Sequence, residues 1–246
     1  MSTAPEQKFS YGGETITYRL ERTSRRKTVA ISVGFDGIRV LAPVDMTDSD
    51  VNGYVRKKAP WVLKKQSAYR DLATETQPKE FVSGESFHYL GRPYRLRVIE
   101  DPAAVLTRVA ARGQTLVAPV LPQQNELVRR SAIRSGLRHW YMEKAKARFP
   151  ERLEIVSSDL GISPPALRVV DQSKRWGSCD KSGKIRLNWR LVMAPTSLID
   201  YVIAHEACHV LEHNHSHRFW RSLETIMPDY ESRIERLDRI GHRLIW

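Results

Sequence analysis

The sequence predicts an α+β protein: a β-rich N-terminal lobe with one helical segment over residues 1–120, then a lobe over residues 121–246 that is mainly helical and carries a small antiparallel sheet. Three observations predict it. Apolar and polar residues alternate through much of the first third, as on half-buried strands. After Pro122 the apolar spacing becomes that of amphipathic helices. A chain of 246 residues is long enough for two lobes, each with its own core.

Taken in order, Thr15 to Arg22 places Ile16, Tyr18 and Leu20 on one face of a strand. Val29 to Val33 resumes the pattern after a basic turn, and a Phe35-Asp36-Gly37 turn leads into Ile38 to Pro43. Thr47 or Asp48 caps a helix carrying Val51, Val55, Trp61 and Val62, which Pro60 bends or divides. Thr74 to Pro78 is a polar linker. Phe87 to Val98 reads as a hairpin around Gly91, and Val105–Val109 with Thr115–Ala118 as a second, turning at Arg112-Gly113. Gln124 to Phe149 has helical spacing through Leu127, Ile133, Leu137, Trp140, Tyr141 and Ala145, with a further helical segment past Leu153 to Gly161. Leu167–Val170 and Ile185–Leu191 are strands. A helix capped by Thr196 or Ser197 then buries Leu198, Ile199, Val202 and Ile203, and two more helices follow, separated at Met227-Pro228. No internal repeat stands out.

Composition narrows the function classes. The 41% hydrophobic content is that of a globular chain, and no run of about 18 apolar residues suggests a membrane span. Met1 to Glu6 lacks the apolar stretch of a secretory signal, so a cytoplasmic location is expected. Two cysteines, Cys179 and Cys208, make neither a disulfide scaffold nor a zinc ribbon, and Cys208 reads as a small buried residue. A net charge of +12, with clusters at Arg25-Arg26-Lys27, Arg56-Lys57-Lys58 and Lys64-Lys65, suits a polyanionic partner, nucleic acid above all, or a solvated basic surface with no partner. Oligomeric state is not written in these features.

The most informative segment is His205-Glu206-Ala207-Cys208-His209. On a helix, residues four apart share a face, so His205 and His209 can offer two imidazoles to one metal ion. Glu206 lies roughly 100° further round and can reach a water ligand without ligating the metal itself. Catalytic zinc usually takes three protein ligands, and Glu212, His213, His215 and His217 are the candidates for the third. His215 is selected because its spacing from His209 equals that of the third histidine in H-E-x-x-H-x-x-G-x-x-H enzymes. Glu212 stands where those enzymes have glycine, so the turn is expected to be made with Asn214 in a left-handed conformation.

Together these residues resemble a known family. Arg175-Trp176-Gly177-Ser178-Cys179, Ile185 to Leu191, the His205–His209 pentapeptide and Asn214-His215-Ser216 with Phe219-Trp220 look like the YgjP-type group of SprT-related zincin metallopeptidases, in the family's order and separations. The Leu90-Gly91-Arg92-x-Tyr94 hairpin extends the likeness over nearly the whole chain. The resemblance implies a zincin-like lobe holding one Zn2+ on His205, His209 and His215, with Glu206 as general base toward a metal-activated water. It also implies a peptide or protein substrate. Arg175, ahead of Tyr201 and His217, is the candidate to stabilise the oxyanion, and the strand from Ile185 to Leu191 the candidate edge for an extended peptide. The zinc ribbon of relatives that act on DNA-bound proteins has no counterpart in these cysteines. Two other readings stand beside the peptidase: a metal-dependent phosphohydrolase of nucleotides or phosphodiesters, which lacks a Gly-rich phosphate loop here, and a non-enzymatic nucleic-acid-associated module, in which Glu206 would have no task.

Overall fold

The computed structural model describes residues 6–24, 28–34, 37–75, 78–172 and 175–246. The basic triplet Arg25-Arg26-Lys27 and the Phe35-Asp36 part of the expected turn lie outside the described residues. Two compact units emerge, Met1–Gln77 and Pro78–Trp246.

In the first unit, β1 (Glu6–Tyr11), β2 (Glu14–Thr23), β3 (Ala30–Gly34) and β4 (Gly37–Pro43) form a sheet in the order β1-β2-β4-β3. The central pair β2 and β4 is parallel and the outer pairs are antiparallel. The alternation in β2 does what it predicts: Ile16, Tyr18 and Leu20 are buried with Val40 and Ala42 of β4. Two helices, α1 (Asp48–Lys57) and α2 (Ala59–Glu75), add Val51, Val55 and Val62 to that core. Thr47 caps α1, its side chain accepting the Asp50 N–H, and Pro60 sits in the first turn of α2, where its missing N–H costs nothing. Of the basic residues in this unit, the Arg56 guanidinium lies over the Phe9 ring and donates to Ser10 O, so part of that cluster serves the fold.

The second unit opens with the same arrangement. β5 (Ser86–Tyr89), β6 (Arg92–Glu100), β7 (Ala110–Arg112) and β8 (Thr115–Val120) run in the order β5-β6-β8-β7, again with a parallel central pair. Leu20 faces Val40 in the first sheet as Leu96 faces Leu116 in the second. Tyr18-Arg19-Leu20 recurs as Tyr94-Arg95-Leu96, and Ala42-Pro43-Val44 as Ala118-Pro119-Val120, both at the same displacement along the chain. The chain therefore contains an internal repeat, a four-stranded sheet built twice. Few identities survive in it because alternation needs only apolar character at alternate positions.

This second sheet does not belong with the first. Phe87, Leu96, Leu116 and Ala118 are buried in one cluster with Ile133, Leu137 and Tyr141 of α3 (Glu126–Asp159). The boundary therefore falls at Gln77/Pro78 and not near residue 120, where secondary-structure composition changes: burial partners define the unit. Three expected elements also differ. Val105–Val109 is not a strand. α3 is one helix of 34 residues that runs on through Pro150. And Ile185–Leu191 divides into a strand, β11 (Ile185–Asn188), and a 3₁₀ turn, Trp189–Met193.

β11 is the middle strand of a small sheet, β10-β11-β9, with β9 (Leu167–Val170) parallel to it and β10 (Gly177–Cys179) antiparallel. The sheet is thus mixed rather than antiparallel throughout. Three further helices complete the unit: α4 (Thr196–Leu211), α5 (His217–Ile226) and α6 (Tyr230–Ile240).

The tip of the β5–β6 hairpin meets the entry to α4. Leu90 N–H donates to Val192 O at 3.0 Å and Gly91 N–H to Met193 O at 3.1 Å. Gly91 has φ +77°, and a Cβ there would stand 2.8 Å from Pro195 Cγ and 2.9 Å from Pro195 Cα, so both backbone shape and space require glycine. Among the described residues, no helix is long and apolar enough to cross a membrane.

Candidate metal centre

α4 is apolar on nearly every side, as a helix enclosed by its own unit must be. Leu198, Ile199, Val202, Ile203, Ala204, Ala207 and Cys208 are all buried. Pro195 precedes it as N-cap without a side-chain hydrogen bond, so neither Thr196 nor Ser197 caps it. A bidentate Arg152–Asp200 ion pair, at 2.6 and 2.7 Å, ties α4 to α3. The helix stops where Glu212 turns extended, at φ −137° and ψ 106°.

His205 and His209 lie one turn apart, as their spacing predicts. The chain then returns through Glu212–Ser216 to bring His215 onto the same point. One ring nitrogen from each histidine lies within 4.8 Å of the others. His205 Nε2 and His215 Nε2 are 3.0 Å apart. Asn214 is not left-handed: among the described residues, the non-glycine ones with positive φ are Phe81, Leu90 and Gln123. The return is made by the extended Glu212 and a short Ser216 N–H to Asn214 O bond, so no glycine is needed. His213 and His217 are exposed.

The donor set fits a divalent ion. Nitrogen ligands at ~2.0–2.1 Å in a tetrahedral site stand roughly 3.3 Å apart, and three imidazoles are a usual ligand set for catalytic zinc. Two unprotonated nitrogens 3.0 Å apart repel unless a proton or a cation lies between them. Burial first, then His209 and His215, pushes His205 down to about 4, which keeps it neutral and able to ligate. The His209 Nδ1 faces Glu212 O at 3.0 Å, a bond that puts the proton on Nδ1 and leaves Nε2 free as a donor to metal. Phe219, fully buried, places its ring within 5.0 Å of all three imidazole rings.

Glu206, 7% exposed, packs its side chain against Gly177 of β10. Burial pushes its carboxyl up to about 7, against the opposing pulls of the Arg175 guanidinium and the Cys179 backbone N–H. Gly177 leaves the space that the carboxylate fills: a Cβ there would stand 2.7 Å from both Cγ and Oε1 of Glu206. Gly177 and Cys179 are therefore part of the site through their backbones. Both stand in the Arg175–Cys179 stretch that carries the family resemblance, but no local pattern gives either a role toward Glu206.

The loop that carries Arg175 is held by Asn188. This residue is 4% exposed, and its Nδ2 donates to Gln172 O at 2.6 Å and Arg175 O at 3.2 Å. Its Oδ1 accepts the Arg190 N–H and its own N–H donates to Trp176 O. Asn188 thereby joins the end of β11, the 3₁₀ turn and the site loop. Arg175 itself is exposed, near enough to Glu206 to act on its charge. Tyr201 is buried at 8% exposure against the His205 ring. Trp189 is wholly buried among Tyr141 and Trp246, whereas Trp176 is half-buried against Gly241.

One comparison with known proteins bears on the class of this site, a match to a family model. The chain belongs to the YgjP-like family: the model of its metallopeptidase domain matches residues 27–240. It is accordingly a metal-dependent hydrolase of the metallopeptidase kind. No curated protein matches the chain. Among solved structures, the metallopeptidase zymogen of Pyrococcus abyssi abylysin is similar at 23% identity, with a TM-score of 0.35 over 36% of this chain and 90% of that one.

Proposed function

We propose that the protein is a zinc-dependent peptidase in which His205, His209 and His215 hold one Zn2+ and Glu206 is the general base. The observation that carries the reading is the convergence of three imidazole nitrogens within 4.8 Å, beside a buried carboxylate one helical position on. Zinc is the choice that three neutral imidazoles favour. When bound, such an ion polarises a carbonyl and lowers the pKa of a water ligand to about 7.

The protein's own residues supply the rest. Glu206 takes up a proton at its carboxylate and returns it to the leaving amine. The Cys179 N–H and the open face of Gly177 hold that carboxylate in place. Arg175, on the loop that Asn188 clamps, offers a cation to the developing oxyanion.

The peptide would lie along β10 rather than along Ile185–Leu191. β11 is flanked on both sides, by β10 and β9, whereas β10 is an edge strand. Hydrogen bonds from Asp180 N–H to Lys184 O and from Asn188 N–H to Trp176 O direct alternate residues toward β11, so the Gly177 backbone groups face the open edge and can pair with an extended peptide.

The test is cleavage of a peptide library by wild type and Glu206→Gln, with zinc content measured on both. The expected result is equal zinc and a loss of about 10²–10⁴-fold in kcat/KM, the range of general acid–base catalysis. Equal cleavage by both proteins would contradict the role given to Glu206.

A further inference from the structure

We propose that Trp220, backed by Tyr230, is a positioning residue that holds the His215 ring in register with the other two imidazoles; the inference rests on the metal centre proposed above. His215 is the ligand least secured by the chain. It lies in the exposed return after α4, while His205 and His209 are built into the helix. His209 has its Nδ1 fixed by a carbonyl. His215 has no comparable hydrogen bond among those described; its one close polar neighbour is His205 Nε2.

Its orientation comes instead from aromatic faces. The Trp220 indole stacks on the His215 ring with centroids 5.5 Å apart and planes 28° from parallel. Tyr230 stacks on the same indole at 5.5 Å and 24°. Three rings from three separate elements, the loop, α5 and α6, thus form a ladder that ends on His215. Phe219 meets His215 edge-on at 4.7 Å and 71°, closing the second direction in which the ring could swing. The backbone reinforces this: Ser216, the residue after His215, caps α5 by accepting the Phe219 N–H, so the helix bearing both aromatics starts at the ligand itself.

A side chain that merely fills space would be replaceable by any apolar residue of similar bulk. A flat surface that orients an imidazole would not, because offset stacking depends on two π faces. Groups that orient metal ligands from behind typically alter metal affinity by about 10–100-fold when removed. The experiment is titration of the metal-free full chain with Co2+ and with Zn2+, in competition with a chromophoric chelator, for wild type, Trp220→Leu, Trp220→Phe, Tyr230→Leu and His215→Ala. Denaturant unfolding of each metal-free protein is measured alongside.

The expected order is a loss of about 10–100-fold in affinity for Trp220→Leu, near-complete recovery in Trp220→Phe, and a smaller loss for Tyr230→Leu, which removes the backing but not the face that touches His215. The Co2+ visible band of Trp220→Leu is expected to change shape, reporting altered ligand geometry. Wild-type affinity and band shape in a folded Trp220→Leu, or equal affinities for the Leu and Phe variants, would overturn the assignment and leave the metal centre intact. Unchanged affinity in His215→Ala would overturn both.

Discussion

Gly177→Ala is expected to cut peptide cleavage by about 10²-fold, the scale on which a misplacement near 1 Å acts, while leaving fold and zinc content unchanged. The added methyl would stand 2.7 Å from Oε1 and Cγ of Glu206. Gly177 has no positive φ, so alanine brings no backbone strain. What must move is the Glu206 side chain from Cγ outward, and no backbone atom is among those the methyl would meet. The carboxylate then leaves the Cys179 N–H and the position from which it serves as base. Kinetics, thermal melts and elemental analysis on the same preparation separate these effects. Cleavage at the wild-type rate would show that the placement of Glu206 is not critical.

Asn188→Asp is expected to be the most destabilising near-isosteric change in the unit. It exchanges one NH2 for one oxygen, at a residue 4% exposed. The two carbonyls that Asn188 serves, Gln172 O and Arg175 O, would then face a buried carboxylate with no donor between them. An uncompensated charge of this kind costs about 3–5 kcal/mol, or roughly 6–20 °C in Tm for a unit of this size. Calorimetry of the metal-free protein reads it directly, because the metal makes no contribution there. An unchanged Tm would mean that the loop before β10 does not depend on this clamp.

Both residues show where the sequence is legible and where it is not. His205, Glu206 and His209 can be read because helical periodicity fixes their faces locally, and His215 because its spacing matches a known pattern. The strand β2 was legible for the same reason: Ile16, Tyr18 and Leu20 alternate, and all are buried. Gly177 and Asn188 act through contacts with Glu206 and with Gln172 and Arg175, which no local period encodes. Trp189 to Leu191 reads as the end of a strand but belongs to the Trp189–Met193 turn, because burial on all sides leaves no period to read: Trp189, Leu191, Val192 and Met193 are all interior. The helical spacing reads as two segments, to Phe149 and past Leu153, whereas α3 is continuous, since Phe149 and Leu153 are both anchored in the core. Composition follows element type and so changes near residue 120, whereas the two compact units follow which side chains bury one another and divide at Gln77/Pro78.

The central claim is that three side chains, two from one helix and one from the loop after it, hold a single ion. Elemental analysis of wild type and His215→Ala, each exhaustively dialysed against a weak chelator, tests it most directly. The account predicts about one equivalent of zinc per chain in the wild type, and its loss from a variant that still folds. A full equivalent retained by His215→Ala at wild-type affinity would contradict it.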